Sequence, residues 1–97
     1  MWILRGVFAN ESFAFRLSNG SSKTMGRAPR ADFIVDAPLV SRVHCRLSAS
    51  GDGLDVEDLS STNGTFVNDK EVHKGSLRNG DRLRIGRVEL TIENADG

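Results

Sequence analysis

The feature that most constrains the fold is a run of short strand-like segments, each followed by turn-forming residues, about every ten residues along the chain. Residues 81–85 and 88–93 are the clearest case, because apolar side chains alternate with polar ones on both sides of the turn Gly86-Arg87. Alternation with a period of two predicts strands that bury one face. No segment has the three- and four-residue apolar spacing of an amphipathic helix. The sequence therefore predicts an all-β protein.

The chain reads as one domain. Its 97 residues contain no repeat, no low-complexity tract and no internal linker. We predict a domain over residues 1–93 and a flexible tail over residues 94–97. The predicted strands are Trp2–Phe8, Ser12–Leu17, Lys23–Gly26, Phe33–Val35, Val43–Ser48, Leu54–Asp58, Phe66–Val67, Glu71–Val72, Asp81–Ile85 and Val88–Glu93.

The charge balance and the single cysteine limit the partners and the compartment that we expect for this chain. Thirteen Lys and Arg residues balance thirteen Asp and Glu residues, so the whole chain lacks the basic excess that grips nucleic acid or an anionic membrane. No apolar stretch is long enough to span a bilayer. The single cysteine, Cys45, cannot form an intrachain disulfide, which favours a reducing, intracellular compartment. We expect no direct nucleic-acid or membrane partner.

The unusual residues gather in three predicted loops, namely Gly26-Arg27, Ser41-Arg42-Val43-His44 and Ser60–Thr65. Together they supply two arginines, several hydroxyl groups and an amide side chain. Such a set can surround an anion with charge-assisted hydrogen bonds, and loop turns can add backbone N–H groups. Loops at one end of a β-sandwich are a natural place for a binding site.

These segments resemble the signature of the forkhead-associated (FHA) domain family. The family has Gly-Arg at a strand end, then Ser-x-x-His, then Asn-Gly preceded by Ser or Thr, and the chain has them in that order, with Thr62-Asn63-Gly64 as the third. Residues 77–86 also resemble its closing strands. The resemblance implies an FHA-type β-sandwich of two antiparallel or mixed sheets, with eleven strands and ligand-binding loops at one end. It implies a phosphothreonine peptide as ligand.

The resemblance also implies residue roles. Phosphate contacts are expected from Arg27, Ser41, Arg42 and Thr62, and Asn63 is expected to hold the main chain of the peptide. A phosphate carries about −1.5 to −2 charges and three acceptor oxygens, which suits such donors.

The resemblance further implies supporting and selecting residues. Gly26 and Gly64 are expected to permit tight loops, and His44 to brace the binding loop from behind. The apolar pair Leu39-Val40 occupies the region where the family selects the third residue after the phosphothreonine, so an apolar preference is expected there.

We expect the domain to recruit its parent protein to phosphorylated partners and to act as a monomer. The opening Met1-Trp2, followed at once by a strand, resembles nibrin-type DNA-repair proteins. That resemblance implies a role in DNA-damage signalling and a nuclear rather than cytoplasmic location.

Other functions remain open at this point. A phosphate-independent interaction module could use a sheet face of the same fold. An enzyme is not expected, because no nucleophile is paired with a base: Cys45 should be buried, and His44 should point to the opposite face of its strand. Two histidines and one cysteine without ligand spacing predict no metal site, and no cofactor is expected.

Overall fold

The structure, a computed structural model, describes residues 1–95 and consists of short strands. In these residues no helix is long and apolar enough to cross a membrane. The strands are β1 (Trp2–Phe8), β2 (Glu11–Leu17), β3 (Ser22–Gly26), β4 (Phe33–Ile34), β5 (Cys45–Ala49), β6 (Leu54–Asp58), β7 (Thr65–Val67), β8 (Lys70–Val72), β9 (Lys74–Leu77), β10 (Arg82–Ile85) and β11 (Val88–Asn94).

The strands form two sheets that pack as a sandwich. One sheet has the order β2-β1-β11-β10-β7-β8, and the other has the order β4-β3-β5-β6-β9. Strands β3 and β4 pair in parallel, whereas the other described pairs are antiparallel. The predicted all-β fold with two mixed or antiparallel sheets is therefore confirmed.

The core lies between the inner faces of the two sheets. In β5 the side chains of Cys45, Leu47 and Ala49 are buried, while Arg46 and Ser48 face solvent, as alternation predicts. Each fully buried leucine contributes roughly 1.5–3 kcal/mol to folding. Burial, together with the negative charge of nearby Asp58, raises the pKa of the Cys45 thiol to about 12. Cys45 is therefore a protonated core residue.

The structure differs from the predicted strands by one missed strand, by a longer last strand and by shifts of one or two residues at several other strand ends, such as β5, which spans Cys45–Ala49 rather than Val43–Ser48. Strand β9 had no sequence signal, because Gly75 interrupts it and only Leu77 is fully buried. At the other end of the chain, β11 includes Asn94, and the Ala95 N–H donates to the Met1 carbonyl at 3.0 Å. Residues 96–97 of the predicted tail lie outside the described residues.

The ends of the described chain and the β4–β5 loop lie at opposite ends of the sandwich. Phe8, which ends β1, and Val88, which begins β11, both lie beside Leu39 in the β4–β5 loop. Trp2 and Asn94 pair at the opposite ends of the same two strands. Six residues of extended chain span about 20 Å, so the described chain ends lie together at the far end of the sandwich.

Candidate functional site

Three loops enclose an open groove of about 970 Å³ at one end of the sandwich, which we call the loop groove. The β3–β4 loop forms one wall, the β4–β5 loop lies in the middle, and the β6–β7 loop forms the other wall. The lining residues are Arg27, Arg30, Asp36, Ala37, Pro38, Leu39, Val40, Ser41, Arg42, Val43, Leu59, Ser60, Thr62 and Asn63.

The β4–β5 loop packs directly on the end of β3. A Cβ atom on Gly26 would lie 2.3 Å from the Arg42 carbonyl oxygen and 2.8 Å from the Arg42 carbonyl carbon. No side chain fits in that space. The Arg27 N–H donates to the Ser41 carbonyl at 2.9 Å, and the Ala28 N–H donates to the Arg42 carbonyl at 3.0 Å. Glycine at position 26 therefore lets the two loops share hydrogen bonds.

Arg27 is exposed and only partly engaged. Its Nε donates to the Val40 carbonyl at 3.1 Å, which leaves the two terminal amino groups of the guanidinium without a partner among residues 1–95. The described residues also hold no ion pair for Arg30 or Arg42. Asp36 is the one carboxylate among the groove-lining residues. The loop groove thus carries excess positive charge in a chain that is neutral overall.

His44 joins two of the loops from beneath. The ring is fully buried, its Nδ1 accepts the Ser41 backbone N–H at 3.0 Å, and its Nε2 lies 2.8 Å from the Gly64 carbonyl oxygen. A backbone N–H can only donate and a carbonyl can only accept, so the ring is neutral with its proton on Nε2. His44 therefore ties the β4–β5 loop to the β6–β7 loop.

Two hydrogen bonds join the same loops at the surface. The Ser41 hydroxyl oxygen accepts the Thr62 N–H at 3.0 Å, and the Asn63 side-chain amide donates to the Leu39 carbonyl at 3.0 Å. The hydroxyl hydrogen of Ser41 has no acceptor among the described residues, so it is available to a ligand. Thr62 and Asn63 are exposed at the groove.

A carboxylate at the end of β6 organises the β6–β7 loop. Asp58 accepts hydrogen bonds from the Ser61 hydroxyl, from the Ser61 N–H at 3.1 Å and from the Thr65 hydroxyl at 2.7 Å. Ser61 in turn accepts the Gly64 N–H at 2.9 Å. Burial acts to raise the pKa of Asp58, but the hydrogen bonds from Ser61 and Thr65 outweigh it and hold the pKa below its ordinary value.

Leu39 adopts a backbone conformation that leucine disfavours. Its φ is 71°, in the left-handed region, and 46% of the residue is exposed. A Cβ atom on Gly86 would lie 3.0 Å from the Leu39 carbonyl carbon and 3.1 Å from the Pro38 carbonyl oxygen, so the β10–β11 turn packs directly beneath this part of the loop. Asn63 and Gly86 thus both lie against the Leu39 carbonyl group.

Beside Leu39 lies a second, more apolar pocket of about 410 Å³, lined by Phe8, Ala37, Pro38, Leu39, Arg87 and Val88. Val40, the neighbour of Leu39, is only 3% exposed and points into the core. Of the predicted selectivity pair, Leu39 alone presents its side chain to the surface. Val40 contributes the carbonyl that Arg27 contacts.

The structure brings the predicted residues Arg27, Ser41, Arg42, Thr62 and Asn63 to one groove, with Gly26, His44 and Gly64 around it. Gly64 has a φ of 91°, which side chains rarely tolerate. Sequence reasoning missed the Asp58–Ser61–Thr65 network, whose Asp-x-x-Ser spacing was a readable signal. It also missed Gly86, whose contact with residues 38 and 39 has no local signal.

Comparison with known proteins gives consistent matches. The FHA domain model matches residues 23–86. A curated relative called oxoglutarate dehydrogenase inhibitor, from Corynebacterium jeikeium, is 35% identical over 92 residues, which cover 95% of this chain and 62% of the relative. Glycogen accumulation regulator GarA, from Mycolicibacterium smegmatis, is 35% identical over 90 residues, which cover 93% of this chain and 55% of the relative. This chain therefore spans less than two thirds of either relative.

A solved structure gives the same result. It comes from a structural and functional analysis of phosphothreonine-dependent FHA domain interactions, and it superposes with a TM-score of 0.82 at 31% identity. The match covers 96% of this chain and 95% of that one.

These relatives overturn part of the sequence interpretation. The expected nuclear location is wrong, because the relatives come from bacteria, whose cells have no nucleus. The resemblance to nibrin-type proteins and the DNA-damage role are not supported for the same reason. The Met1-Trp2 opening misled because it reflects packing: Trp2 is 2% exposed, and its indole N–H donates to the Ser50 carbonyl at 3.0 Å.

Proposed function

The chain belongs to the FHA domain family, and from that membership we propose that it binds phosphothreonine-containing segments of partner proteins in the loop groove. The observation that carries the proposal is the excess of unpaired guanidinium groups in the groove beside an unsatisfied serine hydroxyl. A phosphate supplies the missing negative charge and the missing acceptors. The domain then acts as a binding module rather than an enzyme.

We assign the phosphate contacts to the hydrogen-bond donors that have no partner among the described residues. Arg27 keeps its two terminal amino groups for the ligand, because its Nε is held by Val40. The Ser41 hydroxyl donates to a phosphate oxygen while its own oxygen accepts the Thr62 N–H. Arg42 and Thr62 add a second charge and a second hydroxyl. Hydrogen bonds to a charged group contribute roughly 1.5–3 kcal/mol each, and a few of them support micromolar affinity after ordering costs.

The peptide main chain is assigned to Asn63, whose amide offers both a donor and an acceptor. One N–H of this amide donates to the Leu39 carbonyl, which holds the side chain in position and leaves the amide oxygen and the second N–H for the peptide. Gly26, His44 and Gly64 serve indirectly, because they fix the backbone on which these groups stand. Their loss is expected to displace the donors.

We assign the apolar preference after the phosphothreonine to Leu39. Its side chain is exposed next to the apolar pocket that also contains Phe8, Pro38 and Val88. Arg87 also lines this pocket, so a long apolar side chain with a polar end also fits. Val40 takes part through its carbonyl contact with Arg27.

The proposed biological role is recruitment. The relatives bear the names of a regulator and of an enzyme inhibitor, and the chain covers only part of each. We propose that the parent protein of this domain likewise acts on partners that a threonine kinase has marked.

The test is a titration of the domain with peptides that differ only in carrying phosphothreonine, phosphoserine or threonine. Binding to the phosphothreonine peptide alone is expected, and Arg27→Ala should reduce it at least 100-fold, because about 3 kcal/mol of charged hydrogen bonding is lost. Arg16→Ala, an exposed arginine outside the groove, is the control and should bind normally. Equal binding to all three peptides would favour a phosphate-independent surface and reject the proposal.

A further inference from the structure

A pocket of about 220 Å³, which we call the aromatic pocket, lies on the side of the sandwich where the edge strands β2 and β4 meet. Its volume equals that of roughly seven molecules of liquid water, which is room for one long side chain. None of the proposed phosphate and main-chain contacts involves the residues of this pocket. They are Phe8, Glu11, Phe13, Phe15, Ile34, Val35 and Asp36.

Packing holds the rings of the aromatic pocket in place. Phe15 stacks on Phe33 with 4.7 Å between the ring centroids, and this contact joins the two sheets. Phe13 lies against Phe15 with 5.3 Å between the centroids. A Cβ atom on Gly6 would lie 2.6 Å from the Phe13 ring, so the ring covers the Gly6 backbone. Since the rings are only partly buried, they offer a preformed apolar surface to a ligand.

A tight hairpin places the Glu11 carboxylate at this surface. Glu11 begins β2 and pairs with Phe8, the last residue of β1. The two residues between them, Ala9 and Asn10, have φ angles of 53° and 65°. Two consecutive positive φ angles are typical of the two-residue turns that match the twist of a hairpin. The turn therefore fixes Glu11 beside the Phe8 ring.

A second turn exposes the Asp36 carboxylate. Its neighbours Val35 and Ala37 are 4% and 2% exposed, and the Ala37 N–H donates to the Val35 carbonyl at 3.0 Å. Asp36, between these buried residues, is exposed. It lines both the aromatic pocket and the loop groove, so the two sites meet at this residue.

The charge of the aromatic pocket is opposite to that of the loop groove. Glu11 and Asp36 form no ion pair among the described residues, and no Lys or Arg of residues 1–95 lines the pocket. The ligand that complements it is apolar along its length and cationic at its end. Lys and Arg side chains have this form, because an aliphatic stem packs on apolar surface while the charged head pairs with carboxylates. Arg also stacks on aromatic rings.

The aromatic pocket is continuous with the surface that the phosphothreonine segment occupies. Leu39 lines both the loop groove and the apolar pocket beside it, and Phe8 lines both that apolar pocket and the aromatic pocket. Resting on the proposed function, we infer that the aromatic pocket binds a Lys or Arg side chain of the same segment, beyond the residue that contacts Leu39. The order along the segment is then phosphothreonine, apolar residue, basic residue. The domain binds opposite charges at two points of one ligand.

The experiment scans arginine along a phosphothreonine peptide whose other flanking residues are neutral. Kd is measured with Arg, Leu or Ala at each position beyond the apolar residue. At one position we expect Arg to bind about 10-fold tighter than Ala, since two exposed ion pairs act together with packing of the stem. Leu should give only part of this gain, because it lacks the charge. High salt should reduce the gain from Arg.

Variants of Glu11 test the pocket itself. Glu11→Gln should reduce the gain from Arg to about 3-fold and bind the Ala peptide normally, because Glu11 does not line the loop groove. Glu11→Lys should reverse the preference, so that Glu binds tighter than Arg at that peptide position, which a role in packing alone would not cause. Asp52→Asn is the control and should keep the gain. It removes an exposed carboxylate from the β5–β6 turn, whose Ser50 contacts Trp2 at the far end of the sandwich.

The two proposals fail differently. If the wild-type domain binds the Ala phosphopeptide but Arg improves binding at no position, or improves it no more than Leu does, the basic-residue site is refuted and the proposed function stands. The same holds if Glu11→Gln keeps the whole gain. If no phosphopeptide binds, the proposed function fails and this inference fails with it. A gain from Arg that Glu11→Gln lowers and Glu11→Lys reverses assigns the basic side chain to the aromatic pocket.

Discussion

Gly86→Ala tests whether the β10–β11 turn positions the peptide-binding loop. The added methyl group would lie 3.0 Å from the Leu39 carbonyl carbon, 3.1 Å from the Pro38 carbonyl oxygen and 3.1 Å from a Val40 methyl group. These contacts are too close by a few tenths of an ångström, so the loop backbone must shift outward. Leu39 carries the carbonyl that Asn63 contacts at 3.0 Å, and a shift of that size weakens the bond.

The expected magnitude has two parts. A side chain in the left-handed region costs about 1–2 kcal/mol, and Gly86 has a φ of 58°. That cost lowers the melting temperature by about 5–10 °C in a domain of this size. Loss of the Asn63–Leu39 hydrogen bond costs about 1 kcal/mol more. This second cost reduces the free energy of peptide binding, so the Kd for a phosphothreonine peptide should rise about 5-fold.

Gly80→Ala provides the matched control. Gly80 also has a positive φ, 90°, in the turn that joins β9 to β10, but an added Cβ there meets no atom within 4 Å. The melting temperature of this variant should fall by a similar amount, and its Kd should equal that of the wild type. Thermal denaturation and peptide titration measure these two quantities. If Gly86→Ala binds as tightly as wild type, or if Gly80→Ala weakens binding equally, then the turn does not position the loop.

Two further predictions concern the hydrogen bonds beneath the groove. His44→Ala leaves the Ser41 N–H and the Gly64 carbonyl without their buried partner, so the free energy of unfolding should fall by roughly 3 kcal/mol and peptide affinity should fall with it; an unchanged melting temperature would reject the bracing role. The lowered pKa of Asp58 means that its carboxylate stabilises the fold at pH values above the ordinary aspartate pKa, and that this contribution is lost as the pH falls through the lower pKa of the folded state. Asp58→Asn should therefore melt lower at pH 7 and lose less on acidification, and parallel pH profiles of the two proteins would contradict this.

Periodicity predicted the fold well because most strands bury one face. In β6, for example, Leu54 and Val56 are buried and Asp55 is exposed, so alternation identified the whole strand. Strand β9 escaped because its pairing with β6 depends on backbone hydrogen bonds rather than on apolar side chains. A strand that has no alternating pattern of its own can be predicted only when its partner strand is known.

The candidate site was predicted in part. The groups at the groove, such as Arg27 and Asn63, are local in sequence and have readable chemistry. The left-handed Leu39 was not predictable, because nothing in a leucine favours a φ of 71°. That conformation depends on Gly86 and Asn63, which are distant in sequence, and on the space that only the folded loop creates.

The pairing of Trp2 with Asn94, far from the loop groove, has a practical consequence for using the domain as a tool. A fluorescent protein joined at residue 1 or residue 95 would be attached on the side away from the bound peptide. Two such attachments would also sit close to each other, since the Ala95 N–H donates to the Met1 carbonyl. The domain is therefore suited to sensors in which a tethered substrate segment folds back onto the opposite face when a kinase modifies it.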